Sequence, residues 1–499
     1  MAAANIEYDD VQGLVRFGHA HLVEARFLLL RVKDREAARA WLATAPVLSA
    51  VESGPLPATA LQVAVTREGL DALGVPDGIV QGFSAEFLSG MAGDAARSRR
   101  LGDVGASSPS TWQWGGPGNV PHVLLMLYAV RERLEAWNAS LSDTTWAAGF
   151  EPLATLVTSN LDGVEPFGFR DGLSQPALDW TGTRGKLGGD ELRYTNLSAL
   201  GEFVLGCPNE YGKYTERPLV KYARAALPPA EDVPGMLDVG RNGTYLVLRQ
   251  LDQDVRGFWQ FLDRRSDGDP GRRRALAEAM VGRAMDGKPL LDAGDEPIPG
   301  VGPDAEDVAL NQFTYASDTA GARCPFGAHI RRANPRNADY PVGTGGLLDR
   351  LRRLLGFGST GWRDDLIAST RFHRILRRGR EYGPNLPVED AVRPGPADEP
   401  ERGLYFIGLN ANISRQFEFV QNAWLMSAKF DGLSEESDPL LGSREPTSIR
   451  AVTDTFSLPT PDGLRRRVTG LPRFVTVRGG AYFFMPGIRA LRYLATVTD

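Results

Sequence analysis

Short apolar runs alternate along the chain with amphipathic stretches, and each spacing predicts an element. Residues 25–32 (ARFLLLRV) predict a strand, and residues 34–43 (DREAARAWLA) a helix with an acidic first turn. Residues 61–65 predict a second strand, followed at 66–73 by a short helix with Thr66 as its N-cap. A third strand is predicted at 122–129 (HVLLMLYA) and a helix at 130–141 (VRERLEAWNASL). The second half of the chain repeats the style. Strands are predicted at 244–251 (TYLVLRQL), 403–410 (GLYFIGLN) and 474–484 (FVTVRGGAYFF, broken by two glycines), and helices from 255, over 272–281 and over 413–424. The pattern predicts an α+β protein of two similar halves, residues 1–235 and 236–499. The similarity is one of style, with no clear sequence repeat. Between the elements, residues 102–119 are rich in Gly, Ser and Pro, and residues 333–346 and 383–403 read as long functional loops. Residues 349–355 (DRLRRLL) read as the solvated face of a helix.

At 499 residues the chain can bury a large core and still hold a cofactor-sized cavity. A hydrophobic share of 42% and a charged share of 24% fit a globular protein, and the net charge of −6 argues against a nucleic-acid binder. The two cysteines, Cys207 and Cys324, form no CxxC. That excludes a four-thiolate metal centre and covalent c-type haem attachment. The first residues lack the basic and apolar regions of a signal peptide and any twin-arginine pair. No apolar run approaches the roughly 18 residues of a membrane span. The expected address is cytoplasmic, with no membrane partner.

Five histidines narrow the search for chemistry: His19, His21, His122, His329 and His373. His19 and His21 precede a strand in a loop, and His122 opens an apolar strand as a structural residue. His329 stands in GARCPFGAHIRRANPR (321–336), followed by Arg331, Arg332 and Arg336. Cations beside an imidazole suit a cofactor that carries carboxylates; on spacing alone, a capped loop with surface arginines is the stronger reading. In GFRDGLSQP (168–176), Asp171 lies between Arg170 and Gly172, either in an ordinary Asp-Gly turn or where glycines admit a flat ligand. In STRFHRILRRGREYGP (369–384), Thr370 caps an expected short helix ending at Gly379, which sets His373 and Arg377 on one face. A phosphate or nucleic-acid patch competes there, without interleaved aromatic residues to support it.

Taken in order, GFRDG (168–172), CPFGAHIRRANPR (324–336) and HRILRRGREYG (373–383) resemble the dye-decolourising peroxidase family, and its longer members in particular. GLYFIGLNANISRQFEFVQNAW (403–424), FVTVRGGAYFFMPG (474–487) and the opening DVQGLVRFGHAHLVEARFLLLRV (10–32) agree, so the resemblance spans nearly the whole chain. It implies two ferredoxin-like α+β domains with antiparallel sheets and peripheral helices. It also implies one non-covalent haem b per chain, mostly against the C-terminal half, with the distal acid supplied by the N-terminal half. Carried over by position, His329 is the proximal iron ligand, Asp171 the distal acid and Arg377 the distal arginine. His373 becomes a support residue on the same helix as Arg377. Asp438, in ESDPLLG, matches the carboxylate that holds the proximal imidazole, with Glu418 as the alternative. Arg331 and Arg332 fall among the haem-binding residues. Leu404 and Phe406 line the distal pocket or simply pack their strand. Tyr382 and Trp424 resemble surface residues that relay electrons, or pack as ordinary aromatics.

The implied activity is reduction of hydrogen peroxide coupled to oxidation of small aromatic reductants or dyes. Asp171 would move a proton as base and then acid, and a carboxylate in that role favours an optimum on the acidic side of neutral. Arg377 would stabilise developing negative charge. Two other readings remain: a haem-binding or iron-release protein of the same fold, and a non-haem protein that binds an anionic partner through the arginines of 371–380. Nothing in the pattern forbids an oligomer.

Overall fold

The computed structural model describes residues 6–52, 54–182, 194–221, 227–294, 297–302, 304–336, 369–446, 453–460 and 465–497. The stretch 349–355 and most of the loop 333–346 lie outside the described residues.

The first half runs β1 (Glu24–Val32), α1 (Arg35–Thr44), β2 (Thr59–Val65), β3 (Val123–Ala129), α2 (Leu134–Leu141), α3 (Thr144–Gly149) and β4 (Phe150–Val157). Side chains set its helix starts as the pattern predicts. Asp34 accepts the Ala37 N–H at 2.8 Å ahead of α1, and Thr66 accepts the Gly69 N–H at 3.0 Å ahead of a short helix at Arg67–Ala72. The four strands pair antiparallel in the order β2–β3–β1–β4. The helix expected over 130–141 begins only at Leu134. Glu132 has a left-handed backbone (φ 65°), and the Glu24 carboxylate holds the turn by accepting the Glu132 and Leu134 N–H groups.

The second half repeats the scheme with β5 (Thr244–Gln253), α4 (Val255–Arg265), α5 (Pro270–Val281), α6 (His329–Ala333), β6 (Leu376–Arg377), β7 (Arg380–Tyr382), β8 (Gly403–Asn410), β9 (Val475–Met485) and α7 (Ile488–Thr496). Asp254 caps α4 and Asp269 caps α5, where Pro270 takes the first helical position. The expected helix over 413–424 forms as two wide turns, Ser414–Glu418 and Val420–Leu425. Here β6 and β7 both pair β8, β8 pairs β5 and β5 pairs β9, all antiparallel. Each half is thus ferredoxin-like. The halves join edge to edge where Phe484 of β9 meets Val65 of β2, giving one nine-stranded sheet.

Both faces of that sheet are buried. On one, Leu28, Val63 and Leu125 share a core with Trp41 and Leu42 of α1, Tyr245 and Val247 of β5, and Leu491 and Leu494 of α7. On the other, Phe27, Leu124 and Met126 pack with Leu246, Leu248, Ile407 and Phe483. A further core gathers α4 and α5 over Phe167, Phe169 and the start of β9. No helix among the described residues is long and apolar enough to cross a membrane.

Candidate active site

A cavity of about 320 Å³ lies over the second half, within the usual range for cofactor and ligand sites. On β8, Leu404 and Phe406 face it, while Ile407 and Leu409 pack into the core behind. Across from the sheet the wall is built by His329 and Ile330 of α6, by Trp424 and Leu425, and by Leu440 and Leu441.

His329 opens α6, a helix of five residues, after the turn at Pro325. Gly282, which ends α5 at φ 96°, permits this placement: a Cβ there would lie 2.6 Å from Ile330 Cγ1. The imidazole donates from Nδ1 to Asp438 Oδ2 at 2.9 Å. Nε2 has no hydrogen-bond partner among the described residues, and 25% of the side chain stays exposed, along the cavity wall. Asp438 is wholly buried, and its other oxygen accepts the N–H groups of Leu440 (2.9 Å) and Leu441 (2.8 Å). Burial opposes the charged form of both partners. Their mutual attraction and hydrogen bond outweigh it, raising the imidazole pKa and lowering that of the carboxyl. Asp438 therefore fixes the ring with Nε2 free for a metal.

Asp171 also lines the cavity, on an irregular loop, and Arg377 Nη1 donates to its Oδ1 at 3.2 Å. Arg377 is itself held, by Nη2 to the Leu173 carbonyl at 2.6 Å and by its backbone N–H to Gln175 Oε1 at 3.0 Å. The expected helix from Thr370 to Gly379 does not form. A short turn at Ser369–Phe372 leads into β6, where Leu376 and Arg377 pair with Leu409 and Gly408. The pairing to β8 decides this, since a helix would leave that strand without its neighbour. His373 reaches the cavity all the same, donating from Nδ1 to the Arg415 carbonyl and stacking on Phe419 at 3.6 Å. Burial pushes its pKa down to about 4.

The expected haem contacts of Arg331 and Arg332 do not materialise; neither lines the cavity. Arg331 is spent on Asp318 and the Cys324 carbonyl between the rings of Tyr315 and Phe326. Arg332 donates to the carbonyls of Trp424, Ser427 and Glu436. One turn of helix points them away from the wall that His329 faces. The cavity's basic end is built instead by Arg283, Arg336 and Arg374. Arg283 and Arg336 both donate to Ser174 Oγ, and Arg336 and Arg374 both lie over the Tyr194 ring. Arg283 and Arg336 meet no carboxylate among the described residues. Burial, together with Arg336, pushes the Arg283 pKa down to about 10.

No protein-family model matches the chain. Curated relatives do. The dye-decolorizing peroxidase of Auricularia auricula-judae is 28% identical over 518 residues, covering 98% of this chain and 87% of the relative. A multifunctional dye peroxidase of Amycolatopsis sp. is 29% identical over 457 residues, covering 87% and 82%. A crystal structure of the Auricularia auricula-judae decolorizing peroxidase superposes with a TM-score of 0.71 at 25% identity, over 98% of this chain and all of that one. Over nearly its whole length the chain is similar to dye-decolourising peroxidases in sequence and in fold.

The remaining expected residues divide. Glu418 is not the partner of His329: it accepts the Tyr482 hydroxyl at 2.9 Å and pairs with Arg97 at 2.8 Å. Trp424 stands in the cavity wall, edge-on to His373. Tyr382 is separated from the wall by Tyr405, on which it stacks at 4.5 Å. Neither is a surface residue, since Tyr382 is 5% and Trp424 9% exposed. Three cavity residues were not singled out from the sequence: Glu165, Arg283 and Arg336, the last noted only as a neighbour of His329. Buried guanidiniums bonded to backbone carbonyls leave no spacing signature, and Glu165 differs from any loop acid only by what surrounds it.

Proposed function

We propose that the protein is a haem-dependent peroxidase that reduces hydrogen peroxide and oxidises dyes, phenols or other one-electron donors. One observation carries this reading. An imidazole anchored through Nδ1 to a buried carboxylate presents Nε2 to the same cavity that holds a carboxylate–guanidinium pair, Asp171–Arg377. The residues fit haem b. His329 would ligate the iron, Leu404 and Phe406 supply apolar wall, and the excess positive charge of Arg283, Arg336 and Arg374 suits the two carboxylates of the group. Neither Cys207 nor Cys324 lines the cavity, which supports non-covalent binding, one haem per chain.

Haem, when bound, would supply the redox chemistry that links peroxide to a one-electron donor. The protein's part is to place groups around that event. Asp438 keeps the His329 ring in one tautomer and adds negative character to it. Asp171 would take a proton from peroxide and return it to the departing oxygen. Arg377 would offer its positive charge to that oxygen, with two hydrogen bonds to loop atoms locking its position. Tyr382 and Trp424, being buried, would serve as inner steps of an electron route and not as points where a large dye docks.

The decisive experiment is an absorption spectrum of the purified holoprotein with a dye-oxidation assay started by peroxide. We expect a Soret band and peroxide-dependent turnover. His329→Ala should lose the band, whereas Asp171→Asn should keep it and react with peroxide about 10²-fold or more slowly. A Soret band without turnover would favour a haem-carrying or iron-release role, and absence of haem binding would leave only an anion-binding protein.

A further inference from the structure

The loop that carries Asp171 has almost no regular structure to hold it. Between Val164 and Arg170 there is a single β-bridge; the Glu165 N–H donates to the Phe169 carbonyl at 2.8 Å, and the Asp171 N–H to the Gly163 carbonyl at 2.9 Å. At the tip Gly168 takes a φ of 98°. The side chain of Glu165 fills the inside of this loop. Its Oε1 accepts the Phe169 N–H at 3.0 Å, and its Oε2 accepts both the Phe167 N–H at 3.0 Å and the Gln253 amide at 2.8 Å. Gln253 is the last residue of β5, so the contact ties the loop to the sheet.

Two further features separate Glu165 from an ordinary loop acid. No cationic side chain pairs with it among the described residues, although it lines the same cavity as Asp171. Removal from solvent, partly offset by its three N–H donors, pushes its pKa up to about 7. A carboxylate enclosed without a counter-charge is costly, and is kept where its full set of acceptor positions is used. Here those positions are matched to two N–H groups of one loop, those of Phe167 and Phe169, and to the Gln253 amide. The loop leads directly into the acid of the Asp171–Arg377 pair.

We propose that Glu165 is a positioning residue for Asp171: by accepting the Phe167 and Phe169 N–H groups and the Gln253 amide, it fixes the loop that presents Asp171 to Arg377. This rests on the reading of Asp171 as the proton-moving group. Glu165 touches no reacting atom; it acts through the place it gives Asp171. A shift of about 1 Å in such a group costs about 10²-fold in rate.

The test uses the holoprotein. Glu165→Gln keeps the volume but turns one acceptor oxygen into an amide donor that faces a backbone N–H. We expect kcat/KM for peroxide to fall about 10- to 100-fold, with the Soret band, haem content and KM for the reducing dye unchanged. An equilibrium readout accompanies it. Binding of cyanide enters as HCN and needs a base for the released proton, so cyanide affinity should weaken by a similar factor. The effect should vanish on an Asp171→Asn background, because the two changes then remove one function. Gln253→Ala, which cuts only the tie to β5, should show a smaller loss with the same dependence on Asp171. Equal losses from Glu165→Gln with and without Asp171, or wild-type peroxide and cyanide behaviour in both variants, would overturn the inference. Normal peroxide reactivity of Asp171→Asn alone would instead overturn the reading of Asp171.

Discussion

His19 has no exposed surface, and neither ring nitrogen has a hydrogen-bond partner among the described residues. It lies against Tyr128 at 5.3 Å and is approached by Phe17, His21, Arg378 and Arg380. Burial first, then these charges, hold its pKa down to about 4. The unfolded chain takes up this proton near pH 6.5. The stability due to a neutral His19 is therefore fully present above about pH 6.5 and is lost as pH falls from there toward 4. The interval corresponds to about 3 kcal/mol. His19→Phe keeps a ring on Tyr128 and removes the titration. Its left-handed backbone (φ 55°) costs the variant some stability at every pH, so the slope is the quantity to compare. Thermal unfolding between pH 7 and 4.5 should be markedly less pH-dependent in His19→Phe; parallel curves would refute the assignment. At this scale legibility was uneven. His329, Asp171 and Arg377 stood out only as members of an ordered set of motifs, and the structure brings all three to one cavity. Asp438 lies 109 residues from His329, and no local pattern links them. Arg331 and Arg332 were misplaced because adjacency in sequence does not fix direction: on a helix, the next residues point elsewhere.

The element that matters most to the site is α6, a single turn that carries His329. It is set against the end of α5, where a Cβ on Gly282 would also lie 3.2 Å from Ala328 Cβ. Gly282→Ala should therefore push α6 away and strain a left-handed backbone. The expected cost is about 1–3 kcal/mol, with faster haem loss to an acceptor protein. An unchanged melting temperature and haem retention would show that the contact is looser than it looks. Strands with long apolar runs, such as β5 and β8, were legible almost to the residue, since burial on both faces leaves a continuous signal. The segment 370–379 was not. Its basic, mixed sequence satisfies a helical spacing, but β6 contributes only two residues to the sheet and takes its conformation from β8. The short strand carries Arg377 to the cavity edge, so the misread element holds a functional residue.

The whole molecule is less divisible than its two ferredoxin-like halves suggest. The halves share a sheet through one bridging pair, Phe484 with Val65, but that bridge is the least of their contacts. Both sheet cores mix residues from the two sides of position 235: Phe27 and Leu124 with Leu246 and Phe483 on one face, Trp41 and Leu42 with Leu491 and Leu494 on the other. Polar contacts cross as well. Trp114 donates to Gln250 at 2.8 Å, the Ser84 N–H to the Tyr245 hydroxyl at 3.0 Å, and Asn242 to Asp10 at 2.8 Å, all buried. The Asp103–Arg249 ion pair joins a loop of the first half to β5 beside the cavity. A chain of residues 236–499 alone would leave a wide apolar sheet face and the inner side of α7 uncovered, and the Arg249 guanidinium without its carboxylate. Such a surface drives aggregation more readily than folding. Expressed alone, that half should be insoluble or lack a cooperative melting transition and bind no haem. Coexpression with residues 1–235 should restore a soluble complex with a Soret band. The intact chain should melt in one transition that haem shifts upward. A soluble, monomeric, haem-binding C-terminal half would show that the cavity needs nothing from the first half. The loop carrying Asp171 argues against that outcome, because the cavity wall is closed by residues from both sides of the boundary.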